Sequence, residues 1–361
     1  MLKLTAQQGL ILLIAFLLSG CGLFENEQGL GISWQKEDLN DYVVYTYNRG
    51  FENLGQVDPV TGEVLHVFTE IDSIITVVPS PSGNKLFVST SSDRLWTNPG
   101  AVYEVDTRSW EYRKVYDQAA YLKRTHDDEL YFITSPDETG LNRAFGKIEP
   151  TTGEFEVLDS LDVSFRRYDH RSIAIDRTRS LVYYLDENDK LNKRDWVNGD
   201  HEIMYPDTTF WWQAELHVSY SGNYLFMPAG PVIDLRTREI IGSLPTNNFG
   251  IIASRKDEKE VYITDPGRLF HPLDDVTGII TVYSPKKNRV VNSFKLTQKE
   301  TKLPYRTFTI DLTEKERYAV IGSRGAGFLV VDLKTRLLIN VIKPFNDISN
   351  IPRYTVLAKR P

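Results

Sequence analysis

Seven short runs of apolar and aromatic residues recur along the chain at near-regular intervals. They are Tyr42–Tyr47 (YVVYTY), Lys85–Thr90 (KLFVST), Glu129–Thr134 (ELYFIT), Leu181–Asp186 (LVYYLD), Tyr224–Pro228 (YLFMP), Glu260–Thr264 (EVYIT) and Arg317–Gly322 (RYAVIG). Each has strand length, is rich in β-branched and aromatic residues, and is bounded by turn-forming residues. Continuity of the apolar positions predicts strands covered on both faces. Runs further along each unit, such as Phe155-Glu156-Val157-Leu158, alternate instead and predict strands with one wet face. No segment after residue 40 keeps a helical period over a dozen residues, and Asp117–Lys123 offers at most one or two turns.

An Asp-x-x-Thr-Gly-Glu-like turn accompanies each run. The copies begin at Asp58, Asp106, Glu149, Asp195, Asp234, Ser284 and Asp332, spaced 48, 43, 46, 39, 50 and 48 residues apart. A period in the mid-forties, with four short strands per unit, predicts an all-β, seven-bladed β-propeller of four-stranded antiparallel blades. The ends predict how it closes. The first unit opens at Tyr42 with a second-type strand, and the chain finishes with an innermost-type strand, Arg353-Tyr-Thr-Val-Leu-Ala358. Pairing the two completes one blade. The expected organisation is a signal segment (1–20), a tether (21–40) and a propeller domain (41–361).

Val330-Val331-Asp332-Leu333-Lys334-Thr335 and Val232-Ile233-Asp234-Leu235-Arg236-Thr237 resemble repeats of the YVTN and quinoprotein-like group of propellers. The resemblance spans roughly residues 41–358 and implies the fold, not an activity.

The N-terminus carries a different signal. Lys3 precedes Leu10–Leu18 (LILLIAFLL), nine apolar residues that as a helix reach about 14 Å, too short to cross a hydrocarbon core of about 30 Å. That length suits a cleaved signal segment. Leu18-Ser19-Gly20-Cys21 closes the run and resembles a bacterial lipobox. The resemblance implies removal of Met1–Gly20, a diacylglycerol on the Cys21 sulfur and a further acyl chain (palmitate) on its new amino group. Several chains together anchor durably. Gly22 rather than Asp after the cysteine implies the outer membrane, facing the periplasm, in a Gram-negative cell. Cys21 is the single cysteine, so the expected fold uses no disulfide.

The net charge is −7, and −8 once Lys3 leaves, which argues against nucleic acid as a partner. Candidate chemistry is sparse. The turn carboxylates Asp58, Asp106, Asp234 and Asp332 read as backbone-capping groups, one per blade. Gly322-Ser-Arg-Gly-Ala-Gly327 leads into another strand rather than a helix, so it reads as a hairpin and not a phosphate loop. The histidines (66, 126, 170, 201, 217 and 271) show no metal-ligand spacing, and no Gly-x-Ser-x-Gly elbow exists. No cofactor or metal is expected.

One coincidence stands out. His170-Arg171-Ser172-Ile-Ala-Ile-Asp176 matches Tyr305-Arg306-Thr307-Phe-Thr-Ile-Asp311 position by position, and Pro352-Arg353-Tyr354 follows more loosely. These precede or open innermost strands, so Arg171, Arg306 and Arg353, with Tyr305 and His170, are candidates to meet at one mouth of the tunnel. Three guanidinium groups there suit a carboxylate, a phosphate or an acidic side chain; pairing each with a nearby acid is the structural alternative. Loops expected on the same side carry Trp96, Trp211, Trp212 and His271, candidates for contact with a partner. The expected function is a membrane-tethered, monomeric binding or scaffold module for an envelope protein or a glycan. The alternative is an enzyme or cofactor binder, such as a lactonase-like hydrolase, with its site at the tunnel mouth.

Overall fold

The computed structural model describes residues 37–47, 53–91, 100–125, 127–134, 143–163, 173–186, 188, 190–205, 216–227, 230–244, 251–264, 278–296, 305–324, 327–343 and 354–361. These form seven four-stranded antiparallel sheets arranged as a β-propeller. A single helical turn, Glu37–Asn40, precedes them. Blade 1 joins Tyr354–Lys359 to Tyr42–Tyr47, Leu54–Val57 and Val64–Phe68. Blade 2 holds Ile74–Pro79, Lys85–Thr90, Val102–Asp106 and Tyr112–Tyr116; blade 3 holds Ala120–Arg124, Leu130–Thr134, Arg143–Ile148 and Phe155–Leu161. In blade 4 the strands are Ile173–Asp176, Leu181–Leu185, Leu191–Asp195 and His201–Tyr205; in blade 5, His217–Val218, Tyr224–Phe226, Pro231–Asp234 and Glu239–Ser243. Blade 6 comprises Ile251–Ser254, Val261–Thr264, Ile279–Ser284 and Arg289–Lys295. Blade 7 comprises Arg306–Leu312, Tyr318–Arg324, Gly327–Asp332 and Leu337–Ile342.

All seven expected second strands are present, and so is the closure. Tyr354–Lys359 runs antiparallel to Tyr42–Tyr47 in unbroken register, from Tyr42 opposite Lys359 to Tyr47 opposite Tyr354. One expectation fails: the Asp117–Lys123 region is not helical, because Ala120–Arg124 is the innermost strand of blade 3. Its lack of β-branched residues hides it; position, not propensity, decides.

Among the described residues a hydrophobic cluster fills each of the seven gaps between successive blades, and a small additional one, Ile75 with Ala119, lies between blades 2 and 3. Alternate residues of one strand serve two of them. Tyr42 and Val44 pack towards Tyr318, Val320 and Phe328 of blade 7. Val43, Tyr45 and Tyr47 pack towards Ile74, Leu86 and Val88 of blade 2. This two-sided burial is why the central strands read as unbroken apolar runs.

The turns share a backbone device. At the fifth residue the chain enters the left-handed region in every blade: Gly62, Gly153 and Gly199, but also Trp110, Arg238, Asn288 and Arg336. Glycine is the low-cost choice there, and four blades do without it. The leading carboxylate secures the turn, as where Asp58 Oδ1 accepts from the N–H groups of Val60 (2.7 Å) and Thr61 (2.9 Å). Asp106, Asp195 and Asp332 do the same in their blades. The expected capping role is therefore met.

The outer strands depart from simple alternation for one reason. Each pairs with its neighbour through a register shift that leaves one residue unopposed: Leu65, Val115, Leu158, Met204, Ile241, Val291 and Ile339. All seven are apolar. Six of them turn onto the cluster shared with the following blade. In blade 1 Leu65 stays 39% exposed, and Trp110 of blade 2 instead covers that seam, stacked on His66 with ring centroids 3.9 Å apart. A bulge thus lets an edge strand aim one more side chain at the next blade.

Candidate functional site

The first strand of each blade lines the central tunnel. These strands diverge from one another without a shared hydrogen-bond ladder, and polar side chains bridge them. Thr76 Oγ1 accepts from Leu122 N (3.3 Å), Thr309 Oγ1 from Thr355 N (3.3 Å), and Asp311 Oδ2 from Leu357 N (3.1 Å). The Thr309 and Thr355 hydroxyls are 2.7 Å apart. His217 Nε2 lies 2.9 Å from Ser254 Oγ, joining blade 5 to blade 6. Lys123 Nζ donates to the carbonyls of Ile173 (2.7 Å) and Leu216 (3.3 Å), spanning blades 3, 4 and 5.

A cavity of about 340 Å³ occupies this tunnel. The half-buried positions on the innermost strands pick out side chains at its wall: Tyr121, Lys123, His217, Thr309, Asp311 and Tyr354. The cavity differs along its length. Near the end where the innermost strands begin, Tyr47 and Tyr354 stack with centroids 5.6 Å apart, and Phe308 tilts against Tyr354 at 6.0 Å. Towards the hairpin turns, opposite charges pair: Arg124 with Asp128 (2.8 Å), Lys359 with Glu314 (3.1 Å) and Arg255 with Glu316 (3.3 Å). The Lys359 ammonium holds the Glu314 carboxyl below the usual carboxylate range. That mouth carries balanced charge.

Of the residues singled out in the sequence, Tyr305 and Arg306 lie within the described residues. Arg306 opens the innermost strand of blade 7 and is half-buried. Tyr305, its neighbour, is buried in the cluster between blades 6 and 7, and its N–H donates to Leu296 O at 3.0 Å. Its ring is therefore part of the core. Cys21, Trp96, His170, Arg171, Trp211, Trp212, His271 and Arg353 lie outside the described residues. Sequence reasoning did not single out Lys123, His217 or Tyr354 as lumen groups. The available signal was their position within the innermost strands, legible only once every such strand is assigned. Among the described residues no three His, Cys, Asp or Glu side chains come together as metal ligands.

No protein-family model matches the sequence, and no curated protein matches it. Solved structures do resemble it. A functionally unknown protein from Desulfotomaculum acetoxidans DSM 771 has 13% identity and a TM-score of 0.57, over 88% of this chain and 99% of that one. AztD from Citrobacter koseri is similar at 11% identity and a TM-score of 0.52, covering 89% of this chain and 98% of its own. The apo form of AztD gives 12% identity, a TM-score of 0.50, and coverage of 88% and 98%. Likeness at such identity is one of fold.

Proposed function

We propose that this chain is a membrane-anchored lipoprotein of the bacterial envelope whose ring serves as a binding and scaffold module for a protein, or a glycan. The observation that carries this reading is Leu18-Ser19-Gly20-Cys21 at the end of a nine-residue apolar run. An acylated Cys21 would tether the propeller through the segment that follows, and Gly22 favours the outer membrane with the ring in the periplasm. Kinship with the YVTN and quinoprotein-like propellers is the finer assignment, supported by the Val-Asp-Leu-Lys-Thr and Ile-Asp-Leu-Arg-Thr repeats.

The face at which the innermost strands begin is the proposed partner face. Arg306 belongs to it, and Arg171 and Arg353 occupy matching sequence positions. Trp96, Trp211, Trp212 and His271 fall in connections leaving the same ends of the strands. Long connections on a rigid ring are where specificity usually resides.

Two measurements test the proposal. Metabolic labelling with palmitate should mark the wild-type protein and leave Cys21→Ala unlabelled; label retained in the variant would refute the anchor. A photo-crosslinker placed at position 306 should capture one defined partner in cells, while the same group at Val197, 69% exposed on the rim, should not. Equal capture at both positions would remove the partner face. Clean monomer that copurifies with a small molecule and hydrolyses a lactone would replace the scaffold reading with the enzymatic one.

A further inference from the structure

We propose that the outer turns of blades 5 to 7 form a docking surface for an anionic lipid bilayer, seating the ring on the membrane by that arc. The proposal rests on the Cys21 anchor argued above and adds an orientation to it.

The charges of the outer turns are sorted around the ring. From blade 1 to blade 7 the six-residue turns carry formal charges of −2, −1, −2, −2, 0, +3 and +1. Solubility asks only for intermixed signs, so this division has another cause. The inner turns of blades 5 to 7 do not cancel it. Residues 219–223 are uncharged, while 254–260 and 313–318 each hold equal numbers of acids and bases.

Blade 6 carries the excess because its turn is fastened differently. Ser284 stands where five other blades have Asp, and the turn is a short 3-10 segment, Pro285–Lys287. Asn288 secures it instead, donating to the Ile241 carbonyl of blade 5 and accepting from the Tyr283 hydroxyl. The guanidinium groups of blades 5 and 7 are spent on acids: Arg236 on Asp234, Arg238 on Glu202 and Arg336 on Glu260. Among the described residues Lys286, Lys287, Arg289 and Lys334 form no ion pair, and all four are exposed. Exposed Ile240, Val290 and Leu337, at or just after the same turns, add apolar side chains. Cations beside aliphatic groups suit the boundary between headgroups and acyl chains.

The chain enters the ring on this same face. Leu39 is buried in the cluster between blades 7 and 1, and Arg360 donates to Asn40 O (3.0 Å) and to Asp58 Oδ2 (2.7 Å) in the outer turn of blade 1. The basic arc therefore begins beside the entry point. Fifteen residues lie between Cys21 and Glu37, and a chain of that length spans at most about 60 Å. Screening over about 8 Å keeps the attraction local, so a net acidic chain still docks by its basic arc while blades 1 to 4 lift away. Innermost strands begin on the opposite face, so docking turns the proposed partner face from the bilayer.

The test places a fluorescent amino acid at position 335 or 197 of the full-length, membrane-extracted protein. Vesicles of phosphatidylcholine, alone or in equal parts with phosphatidylglycerol, carry a headgroup quencher. Quenching at 335 should appear with phosphatidylglycerol and vanish in about 1 M salt, where screening shortens to about 3 Å; position 197 should stay bright. Lys286→Gln with Lys287→Gln should lower the docked-to-free ratio about 25-fold, about fivefold for each cation lost, and Lys→Arg at both positions should preserve it. Circular dichroism confirms folding. Quenching at 335 that ignores lipid charge, matches that at 197, or survives the Gln substitutions overturns the docking. Retention on neutral vesicles reads the anchor separately. Protein that washes off them overturns the anchor and the docking with it, whereas retained protein with no quenching at 335 overturns the docking alone.

Discussion

Closure of the ring rests on six residues at the end of the chain, and two adjacent substitutions measure how. Leu357 is 5% exposed and packs into the seam between blades 7 and 1, with Tyr42, Val44, Val57, Tyr318, Val320 and Phe328. Val356, one residue earlier, points the other way and is half-buried against the cluster between blades 1 and 2. Leu357→Ala removes a buried side chain and leaves a cavity between two blades, which costs about 2–5 kcal/mol. Val356→Ala removes two methyl groups that are only half withdrawn from water, worth about 1 kcal/mol. A domain stability of about 5–15 kcal/mol makes the first change a large fraction of the whole. Neither substitution touches the backbone pairing with Tyr42–Tyr47 or the bond from Leu357 N to Asp311, so the contrast isolates packing. Urea unfolding followed by tryptophan fluorescence should show a midpoint shift for Leu357→Ala at least twice that for Val356→Ala. Faster unfolding should accompany it, as the ring opens at that seam. Equal shifts, or a larger one at Val356, would refute the assignment of the two faces of this strand and the claim that this seam carries closure.

Two further outcomes follow from the turns. Asp234 is held at a pKa of about 2, chiefly by the Arg236 guanidinium (2.6 and 3.0 Å) and then by the N–H groups of Arg236 and Thr237. A carboxyl depressed below its ordinary value of 3.8 contributes stability that is fully present above pH 4 and is lost as the pH falls towards 2. Asp234→Asn should therefore lower the melting temperature at pH 7 and narrow its gap to wild type between pH 4 and 2; a constant gap across that window would contradict the assignment. Ser180 sits in the left-handed region at φ 55° and is the C-terminal residue of a hairpin turn. Ser180→Gly should raise stability by up to about 1 kcal/mol, since relief of the side-chain clash exceeds the added freedom of the unfolded chain. A lowered urea midpoint would show that the serine side chain has a role of its own.

The architecture was legible because its signals are local. Runs such as YVVYTY and LVYYLD declare two-sided burial, and the acidic turns recur because each must satisfy the same two backbone N–H groups. The pairing of the last strand with Tyr42–Tyr47 was readable from what the first unit lacked. Ala120–Arg124 was misread because a tunnel-facing strand carries Tyr, Lys and Arg, and its propensity contradicts its place. The edge bulges were hidden for another reason: an extra residue changes register, and register depends on a partner strand. Lys123, His217 and Asp311 border one cavity from strands about 90 residues apart, so no spacing rule brings them into view. The turn carboxylates, by contrast, were correctly read as structural, because one per blade scatters them around the circumference.

The unopposed apolar residue in every outer strand has a consequence beyond the seams it fills. A rim strand offers its outer row of amides and carbonyls to any passing chain, and a flat row would template further strands. Here that row is bent partway along in all seven blades, so a would-be fifth strand loses its pairing after a few residues. Copies crowded side by side at high local density meet as discrete discs, unable to zip rim to rim into fibres.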